Sequence, residues 1–256
     1  MTSSLLRPRR RIRTGGEAAG SPAGSASPTR ILDWRDPRVG ALVRSLELPA
    51  GPADVETLRR VHAWIAATVR PVYSVQDERP VSEVLRRGRG SCSQRMALLE
   101  AVARATGTAT RVRGLVVDGR FWYPRFPRLR PLVPDQVLLA WPEFHASTGT
   151  GSPAWLTVSE LFDPVGGGGF TNAGSETLFE ALSRTAIDWD GDTAAPVCPA
   201  GAGACDLSAY VLTDLGRFAS RDDLFARHGQ TLCPLARTLA EPVLGRRSAG
   251  ARTVAA

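Results

Sequence analysis

Cys92 is the residue whose type and position in this chain best suit nucleophilic chemistry. It lies in a stretch read as RGRGSCSQRMALLEAVARATGTATRVRGLVVDGRFW, where a glycine-rich turn precedes a helical pattern. Ser91 suits the N-cap of that helix, and Gln94 completes a capping box. The sulfur then lies at the positive end of the helix, where unpaired N–H groups and the helix dipole favour a thiolate. We therefore expect a reactive cysteine rather than a structural one.

An acyl enzyme built on a thiol also needs a histidine to move the proton and an acid to orient that histidine. The chain has three histidines. His62 lies in a helical pattern and is expected to be a surface or satisfied core residue. His228 precedes a glycine, which is typical of a charge at a helix C-terminus, although a C-terminal lid that brings it to Cys92 is an alternative. His145 and Asp163 suit the two arms of a hairpin, so the predicted catalytic set is Cys92, His145 and Asp163.

The order of features around Cys92 resembles the transglutaminase-like superfamily of thiol enzymes. These features are a helix with tryptophan and aliphatic residues, a short helix, the Gly-x-Cys turn, a long helix and a strand with Arg-Val-x-Gly: Val61–Ile65, Val81–Leu85, Gly90–Cys92, Leu98–Gly107 and Arg111–Gly114. The resemblance covers residues 54–165. It implies an α+β fold with a transglutaminase-like or papain-like core, in which the nucleophile helix packs on an antiparallel sheet.

The family pattern places histidine and aspartate on the strands after the nucleophile helix. When the sequence AWPE of residues 140–143 is aligned with the family's His-Ala-Trp-x-Glu, Leu139 takes the histidine position. Aligning Trp155 in the same way puts Ser159 at the aspartate position. In this register Cys92 is the only member of the triad that remains.

A second register keeps the triad and uses His145 and Asp163. It shifts the strand by six residues, which leaves Leu139 and His145 on the same face of the sheet. The displacement is roughly 20 Å from the rise of a strand, so the substitution requires a bulge or a rearrangement. Both registers stay open at this point.

Composition and spacing divide the chain into four parts. Residues 1–30 are predicted to be a disordered tail, 31–165 the transglutaminase-like core, 166–245 a C-terminal helical cap or lid, and 246–256 a second disordered tail. The periodic patterns predict a helix that begins at Pro37 and further helices over Asp54–Val69, Val81–Arg87, Ser175–Thr185, Asp206–Phe218, Ser220–Arg227 and Cys233–Leu244. They predict strands over Thr110–Val117, Val137–Phe144 and Trp155–Val158. A hairpin turn is expected at Asp118–Gly119, followed by a returning stretch at Arg120–Tyr123.

The net charge of +7 comes entirely from arginine, since the chain contains no lysine. This positive charge is explained either by a solvated tail and an arginine-rich composition, or by binding to an acidic partner such as a phosphopantetheine-bearing carrier protein. Nucleic acid is the weaker choice, because no nucleic-acid-binding motif accompanies the arginines. Four cysteines without a CxxC pair and three histidines predict no metal site and no cofactor.

The sequence shows no apolar signal segment and no apolar run long enough to span a membrane, which predicts a cytoplasmic protein whose thiols are reduced. The expected function is acyl transfer through a Cys92 thioester, on a small or carrier-bound substrate and with amide or thioester chemistry. That chemistry suits a biosynthetic acyltransferase or amidase. The alternative is a catalytically degenerate domain that binds a peptide or a carrier protein. The oligomeric state does not follow from the sequence.

Overall fold

A four-stranded antiparallel sheet and the helix that begins at Cys92 form the centre of the fold. The computed structural model describes residues 22–148, 151–162, 169–174, 176–191 and 204–250. Within them the chain has an α+β architecture, as the resemblance implies. The helices are α1 Pro37–Ser45, α2 Val55–Thr68, α3 Val81–Arg87, α4 Cys92–Ala105, α5 Leu178–Ala181, α6 Arg221–His228 and α7 Pro234–Leu244.

The strands of the main sheet lie in the order β5-β4-β3-β8. They are β3 Thr110–Asp118, β4 Gln136–Ala146, β5 Ala154–Thr157 and β8 Val211–Phe218. Four shorter strands form two parallel pairs: β1 Arg70–Pro71 with β2 Arg89–Gly90, and β6 Ala186–Asp188 with β7 Ala204–Asp206. The strands predicted at β3, β4 and β5 and the helices predicted at α1 to α4 are confirmed.

Helix α4 is the core helix of the domain. Every residue from Gln94 to Arg104 is buried, so the helix packs on all sides and not on one face only.

The predicted cap at Asp54 explains where α2 begins, because the Asp54 carboxylate accepts from Thr57 N–H at 2.8 Å. The Thr108 hydroxyl, just beyond α4, accepts from the N–H of Ala53 at 2.7 Å. Helices α2 and α4 therefore run antiparallel.

The connection between β3 and β4 differs from the predicted hairpin. Thr110 lies opposite Phe144 and Asp118 opposite Gln136, so the two strands pair over their whole length. After Asp118 the chain forms a short 3-10 helix, Gly119–Trp122, because the Asp118 carboxylate accepts from Arg120 N–H at 2.8 Å. The prediction of a returning stretch at Arg120–Tyr123 is wrong, and the return is made by β4.

The C-terminal region is less helical than its pattern predicts. The segment Asp206–Phe218, predicted to be a helix, contains β8, which pairs antiparallel with β3. The physical reason is tertiary: β3 is buried on both faces, and its second edge needs a partner for its backbone groups. Helices α6 and α7 are confirmed close to their predicted bounds, whereas the helix predicted over Ser175–Thr185 is reduced to the four residues of α5.

Part of the segment predicted to be an N-terminal tail contacts the core. Ser25 and Thr110 exchange two backbone hydrogen bonds of 3.0 Å, and the Arg104 guanidinium donates to the Ser27 carbonyl at 2.8 Å. Ser25 and Ser27 are therefore held against the start of β3 and the end of α4 by long-range hydrogen bonds. At the other end Ser248 bridges to Val72, within the segment predicted to be tail.

One buried ion pair joins the C-terminal region to the core. The Arg221 guanidinium at the start of α6 donates to the Glu100 carboxylate in the middle of α4 at 2.6 Å, and neither side chain is exposed to solvent. Arg221 also donates to the Ser93 hydroxyl at 3.1 Å. This contact fixes α6 against α4, beside the residue that follows Cys92.

Among the described helices, none has the length and apolar character that crossing a bilayer requires.

Candidate active site

The start of α4 is built as the sequence predicts. The Ser91 hydroxyl accepts from Gln94 N–H at 3.3 Å, and the Gln94 side-chain oxygen accepts from Ser91 N–H at 3.0 Å, which completes the capping box. The Gln94 amide also donates to the Gln76 carbonyl at 2.7 Å. Cys92 is therefore the first residue of a rigidly anchored helix.

Glycine is required just before this helix because the backbone packs closely there. A Cβ at Gly90 would lie 3.0 Å from a methyl group of Val84 and 3.2 Å from the Gln94 side chain. Gly88 adopts the left-handed conformation, with φ of 58°, and ends α3. The two glycines allow α3 to turn directly into α4, so they place the Cys92 sulfur.

The thiol of Cys92 lies in a shielded and charged environment. The side chain is half-buried, and burial, followed by the nearby Glu180 carboxylate, raises the pKa of Cys92 to about 12. Arg95, the backbone N–H of Phe179 and Arg125 act in the opposite direction. The expected thiolate is thus not the form present in this arrangement, since desolvation outweighs the helix terminus and the thiol keeps its proton.

A segment of the C-terminal region covers the sulfur. Thr177 and Glu180 form a second capping box, at the start of α5, and this places the Phe179 N–H and the Glu180 carboxylate beside Cys92. Phe179 is fully buried. Cys92 packs against the hydrophobic core, and a backbone N–H and charged side chains from this segment also act on its thiol.

Arg95 holds this covering segment in place. Its side chain is fully buried, it forms an ion pair with Glu180, and it donates to the Thr177 hydroxyl at 3.4 Å. The guanidinium carbon lies 4.4 Å from the ring centre of Phe179, in cation–π geometry. Although burial raises the pKa of Glu180, the charge of Arg95 and the hydrogen bond from Thr177 together bring it below its usual value.

His62 lies on the other side of Phe179. Its Nε2 is 2.7 Å from the Phe179 carbonyl oxygen, and the two rings stack with their centres 4.2 Å apart. Phe162 contacts the imidazole edge-on at 4.7 Å. Burial lowers the pKa of His62 to about 4, so the ring is neutral at pH 7 and donates to the carbonyl. The interpretation of His62 as a satisfied core histidine agrees with this geometry.

His145 lies far along α4 from Cys92. Its backbone N–H donates to the Ala109 carbonyl at 2.9 Å, and Ala109 follows the C-terminal end of α4, whereas Cys92 is its first residue. Fourteen helical residues span about 20 Å, so the structure does not bring His145 and Cys92 together. The imidazole packs instead against Trp155, with ring centres 5.2 Å apart. Asp163 lies outside the described residues.

The other predicted positions are also resolved. Leu139 is buried and lies opposite Leu115 on β3, as a core residue does. Ser159 is half-buried, with its hydroxyl 3.1 Å from that of Thr157. His228 packs edge-on against Phe218 at 5.4 Å, at the end of α6. The charges and hydrogen bonds that act most strongly on the Cys92 thiol come from none of these residues.

Three residues of the site were missed by the sequence analysis: Arg95, Arg125 and Glu180. Arg95 carried a signal, because it is three residues after Cys92 and so on the same face of a buried helix. Arg125 lies in the connection between β3 and β4; it donates to the Asn172 side chain at 2.8 Å and to the Ala249 carbonyl at 2.5 Å. The only sequence signal for Glu180 was its capping pattern with Thr177, and a capping pattern does not indicate which element α5 packs against.

The described residues include no group of three or more His, Cys, Asp or Glu side chains that could hold a metal ion.

Comparison with known families identifies the core. Residues 41–158 match the family model described as the transglutaminase-like superfamily. This range contains α2, the turn before Cys92, α4, and the strands β3, β4 and β5. No curated protein and no solved structure gives a significant match to the chain.

Proposed function

Because residues 41–158 form a transglutaminase-like core, we propose that this protein is a cysteine-dependent acyl-transfer enzyme with Cys92 as its nucleophile. The observation that carries the proposal is the setting of the sulfur. It lies on the first residue of α4 and is covered by Phe179 and Glu180, which come from outside the matched range. Besides the core residues that it packs against, the thiol is acted on by a backbone N–H and by charged groups, which a cysteine enclosed only by aliphatic side chains would not have nearby.

The proposed reaction has two steps. The Cys92 sulfur attacks the carbonyl carbon of an amide or thioester, an S–C bond forms, and the bond to the amine or thiol leaving group breaks. The thiol proton passes through a base to that leaving group. Water or an amine then attacks the thioester and releases Cys92 with its proton. The substrate is small or carrier-bound, as expected of a biosynthetic acyltransferase or amidase, and the thioester is the covalent intermediate.

In this proposal the segment 177–182 must move before the chemistry starts. When it moves, solvent reaches the sulfur and the Glu180 carboxylate leaves, so the two influences that raise the pKa of Cys92 diminish. Arg95 and the N-terminus of α4 remain and favour the thiolate. The described arrangement is then the resting form, with a protonated thiol.

Two histidines are candidates for the base. His145 with Asp163 remains the proposal from the sequence, although His145 is near the far end of α4 here. His62 contacts the carbonyl of Phe179, the residue whose N–H acts on Cys92. Comparing His145→Ala with His62→Gln separates them: the variant that slows thioester formation without lowering the melting temperature identifies the base.

The experiment uses an activated ester, p-nitrophenyl acetate, as the acyl donor. We expect an acetyl group on the peptide that contains Cys92, and we expect Cys92→Ala to abolish it. Cys233→Ala is the matched control, since Cys233 is exposed. Acetylation of Cys233 alone, including in a variant with Phe179 replaced by alanine, would overturn the proposal.

A degenerate binding domain is the second candidate, and two observations favour it. In the first of the two registers Leu139 and Ser159 take the positions where the family pattern has histidine and aspartate, and burial raises the pKa of Cys92 to about 12. Such a domain would bind a peptide or a carrier protein at the surface around Cys92. A partner that binds wild type and Cys92→Ala equally well, with no acyl-enzyme in either, would establish this function.

A further inference from the structure

A cavity lined mainly by arginines lies next to the turn that leads into α4. It is about 510 Å³ in volume and is bounded by the end of α3, by β2 and by the end of α7. Its lining residues are Arg86, Arg87, Arg89, Glu241, Pro242, Gly245 and Arg246. Neither the family match nor the proposed acyl transfer assigns a role to it.

The carboxylate that lines the cavity does not balance these charges. Glu241 is bound by Arg79, with 2.6 Å between the guanidinium and the carboxylate, and it also accepts from the Ser74 hydroxyl and the Val75 N–H at 3.0 Å. Its negative charge is therefore compensated outside the cavity. The four lining arginines are left with little neutralisation from Glu241.

Arg86 and Arg87 share one acidic partner. Arg86 donates to the Glu83 carboxylate at 2.6 Å, and Arg87 donates to it at 2.5 Å. The hydrogen bond from Arg86 is the main reason why the pKa of Glu83 falls to about 2. Because one carboxylate serves two guanidiniums, this pair keeps one net positive charge.

Arg89 is the residue that points most directly to a ligand. Its Nε is shielded from solvent and has no hydrogen-bond partner. Across the part of the chain that the structure describes, no ion pair with a carboxylate is formed by Arg89 or Arg246. The parallel register of β1 and β2 also puts Arg70 beside Arg89. Like charges side by side are unfavourable unless an anion lies between them.

We propose that this cavity, the arginine cavity, is a binding site for a phosphate-bearing ligand such as pyrophosphate or an organic phosphate ester. Guanidinium groups bind phosphate oxygens in pairs, and several of them around one cavity suit a ligand with more than one negative charge. A volume of about 510 Å³ is larger than one phosphate requires and falls in the usual range for small-molecule pockets. The site does not depend on Cys92 or on the acyl-transfer proposal.

The test is isothermal titration of the full chain with inorganic pyrophosphate at fixed ionic strength. We expect saturable binding of one pyrophosphate per chain. Arg89→Gln and Arg246→Gln should each weaken it about tenfold or more, because each removes a charge-assisted contact. Arg128→Gln is the matched control: Arg128 is exposed, and the substitution removes the same charge outside the cavity. A melting temperature measured for each variant checks that it is folded.

The pattern of binding across the three variants decides for or against the site. Weaker binding in Arg89→Gln and Arg246→Gln, but not in Arg128→Gln, supports the site. Equal weakening in all three variants, or no saturation below about 10 mM, overturns it, since diffuse surface charge then explains the binding.

The same titrations with coenzyme A and with a single-stranded oligonucleotide identify the kind of ligand. If coenzyme A binds more tightly than pyrophosphate and is weakened by the same two substitutions, the ligand is an organic phosphate. If pyrophosphate binds more tightly, the ligand is the free anion. If Arg128→Gln weakens oligonucleotide binding as much as Arg89→Gln does, the cavity site is overturned.

Discussion

The imidazole of His62 and the ring of Phe179 are stacked 4.2 Å apart, with an angle of 21° between their planes. Phe179 also contacts Arg95 on the nucleophile helix, and its backbone N–H acts on the Cys92 thiol. One residue of the C-terminal region thus joins α2 and α4 above the candidate nucleophile. We expect this relationship to limit access to the Cys92 thiol, which is half-buried.

Replacing Phe179 with alanine should expose Cys92. The ring is fully buried, so its loss leaves a cavity and costs about 3–5 kcal/mol of the free energy of unfolding, and it removes the stacking that holds α5 over the sulfur. We expect iodoacetamide to alkylate Cys92 at least about tenfold faster in Phe179→Ala than in wild type, where the exposed Cys233 reacts first. Mass spectrometry of the two cysteine peptides measures both rates.

Phe225→Ala is the control for that experiment, since Phe225 is a buried phenylalanine of α6. Its cost in stability should be similar, but it should not accelerate the alkylation of Cys92. Equal acceleration in the two variants would mean that Cys92 is reached by global unfolding and that Phe179 is not a specific cover.

The alkylation of Cys92 should depend on pH in an unusual way. Because the pKa of Cys92 is raised from 9.0 to about 12, its reaction rate in wild type should continue to rise above pH 9 instead of levelling off. Glu180→Gln removes the carboxylate that contributes to this shift after burial, so the rate curve should move to lower pH. Glu176→Gln is the control, because Glu176 pairs with Arg184 and does not contribute to the shift.

The raised pKa of Cys92 also predicts that the protein loses stability at high pH. Above pH 9 the unfolded chain loses the thiol proton while the folded chain keeps it. The contribution of Cys92 to stability is therefore present below pH 9 and is lost as the pH rises towards 12. Cys92→Ala should show a weaker loss of stability across this interval in urea unfolding. An identical loss in the two proteins would contradict the protonated, shielded thiol.

Acid should destabilise the protein through His62. Its pKa falls from 6.5 in the unfolded chain to about 4 in the folded one, mainly because of burial. The stability contribution is thus present above pH 6.5 and is lost as the pH falls through 4. Between pH 7 and pH 4.5, wild type should lose about 2–3 kcal/mol more of its free energy of unfolding than His62→Gln. Urea unfolding at the two pH values measures this difference, and equal losses would show that His62 does not titrate with the fold.

The local chemistry of the core was predictable from the sequence because it depends on neighbouring residues. The capping box of Ser91 and Gln94, the cap at Asp54 and the apolar run of β3 each depend on a few neighbouring residues, and they predicted these elements correctly. The segment that became β8 was misassigned because its state depends on the free edge of β3. That edge is far away in sequence, and local propensity does not report it.

The surroundings of Cys92 were less predictable for the same reason. A helix N-terminus indicated a thiolate, but the pKa depends on burial and on Glu180, which is 88 residues further along the chain. His145 and Cys92 follow the family's order in the sequence. The hydrogen bond between His145 and Ala109, which puts the histidine at the end of α4, appears only when β4 is paired with β3.

The buried pair of Glu100 and Arg221 should be strongly coupled. Glu100→Leu leaves the Arg221 guanidinium buried without its carboxylate, which should cost about 3–5 kcal/mol of the free energy of unfolding. The double variant Glu100→Leu with Arg221→Met removes both charges and should recover a large part of that loss. Glu83→Leu breaks exposed pairs on α3 and should cost at most about 1 kcal/mol.

Urea unfolding of wild type, Glu100→Leu, Arg221→Met and the double variant gives the coupling energy directly, with Glu83→Leu as the control. Burial raises the pKa of Glu100, so in the folded protein its charge depends on Arg221, whose own position depends on α6. If the double variant is less stable than Glu100→Leu by the full cost of a second independent substitution, the two residues are not coupled. Helix α6 would then be held on the core by its apolar residues, Leu224 and Phe225, and not by this ion pair.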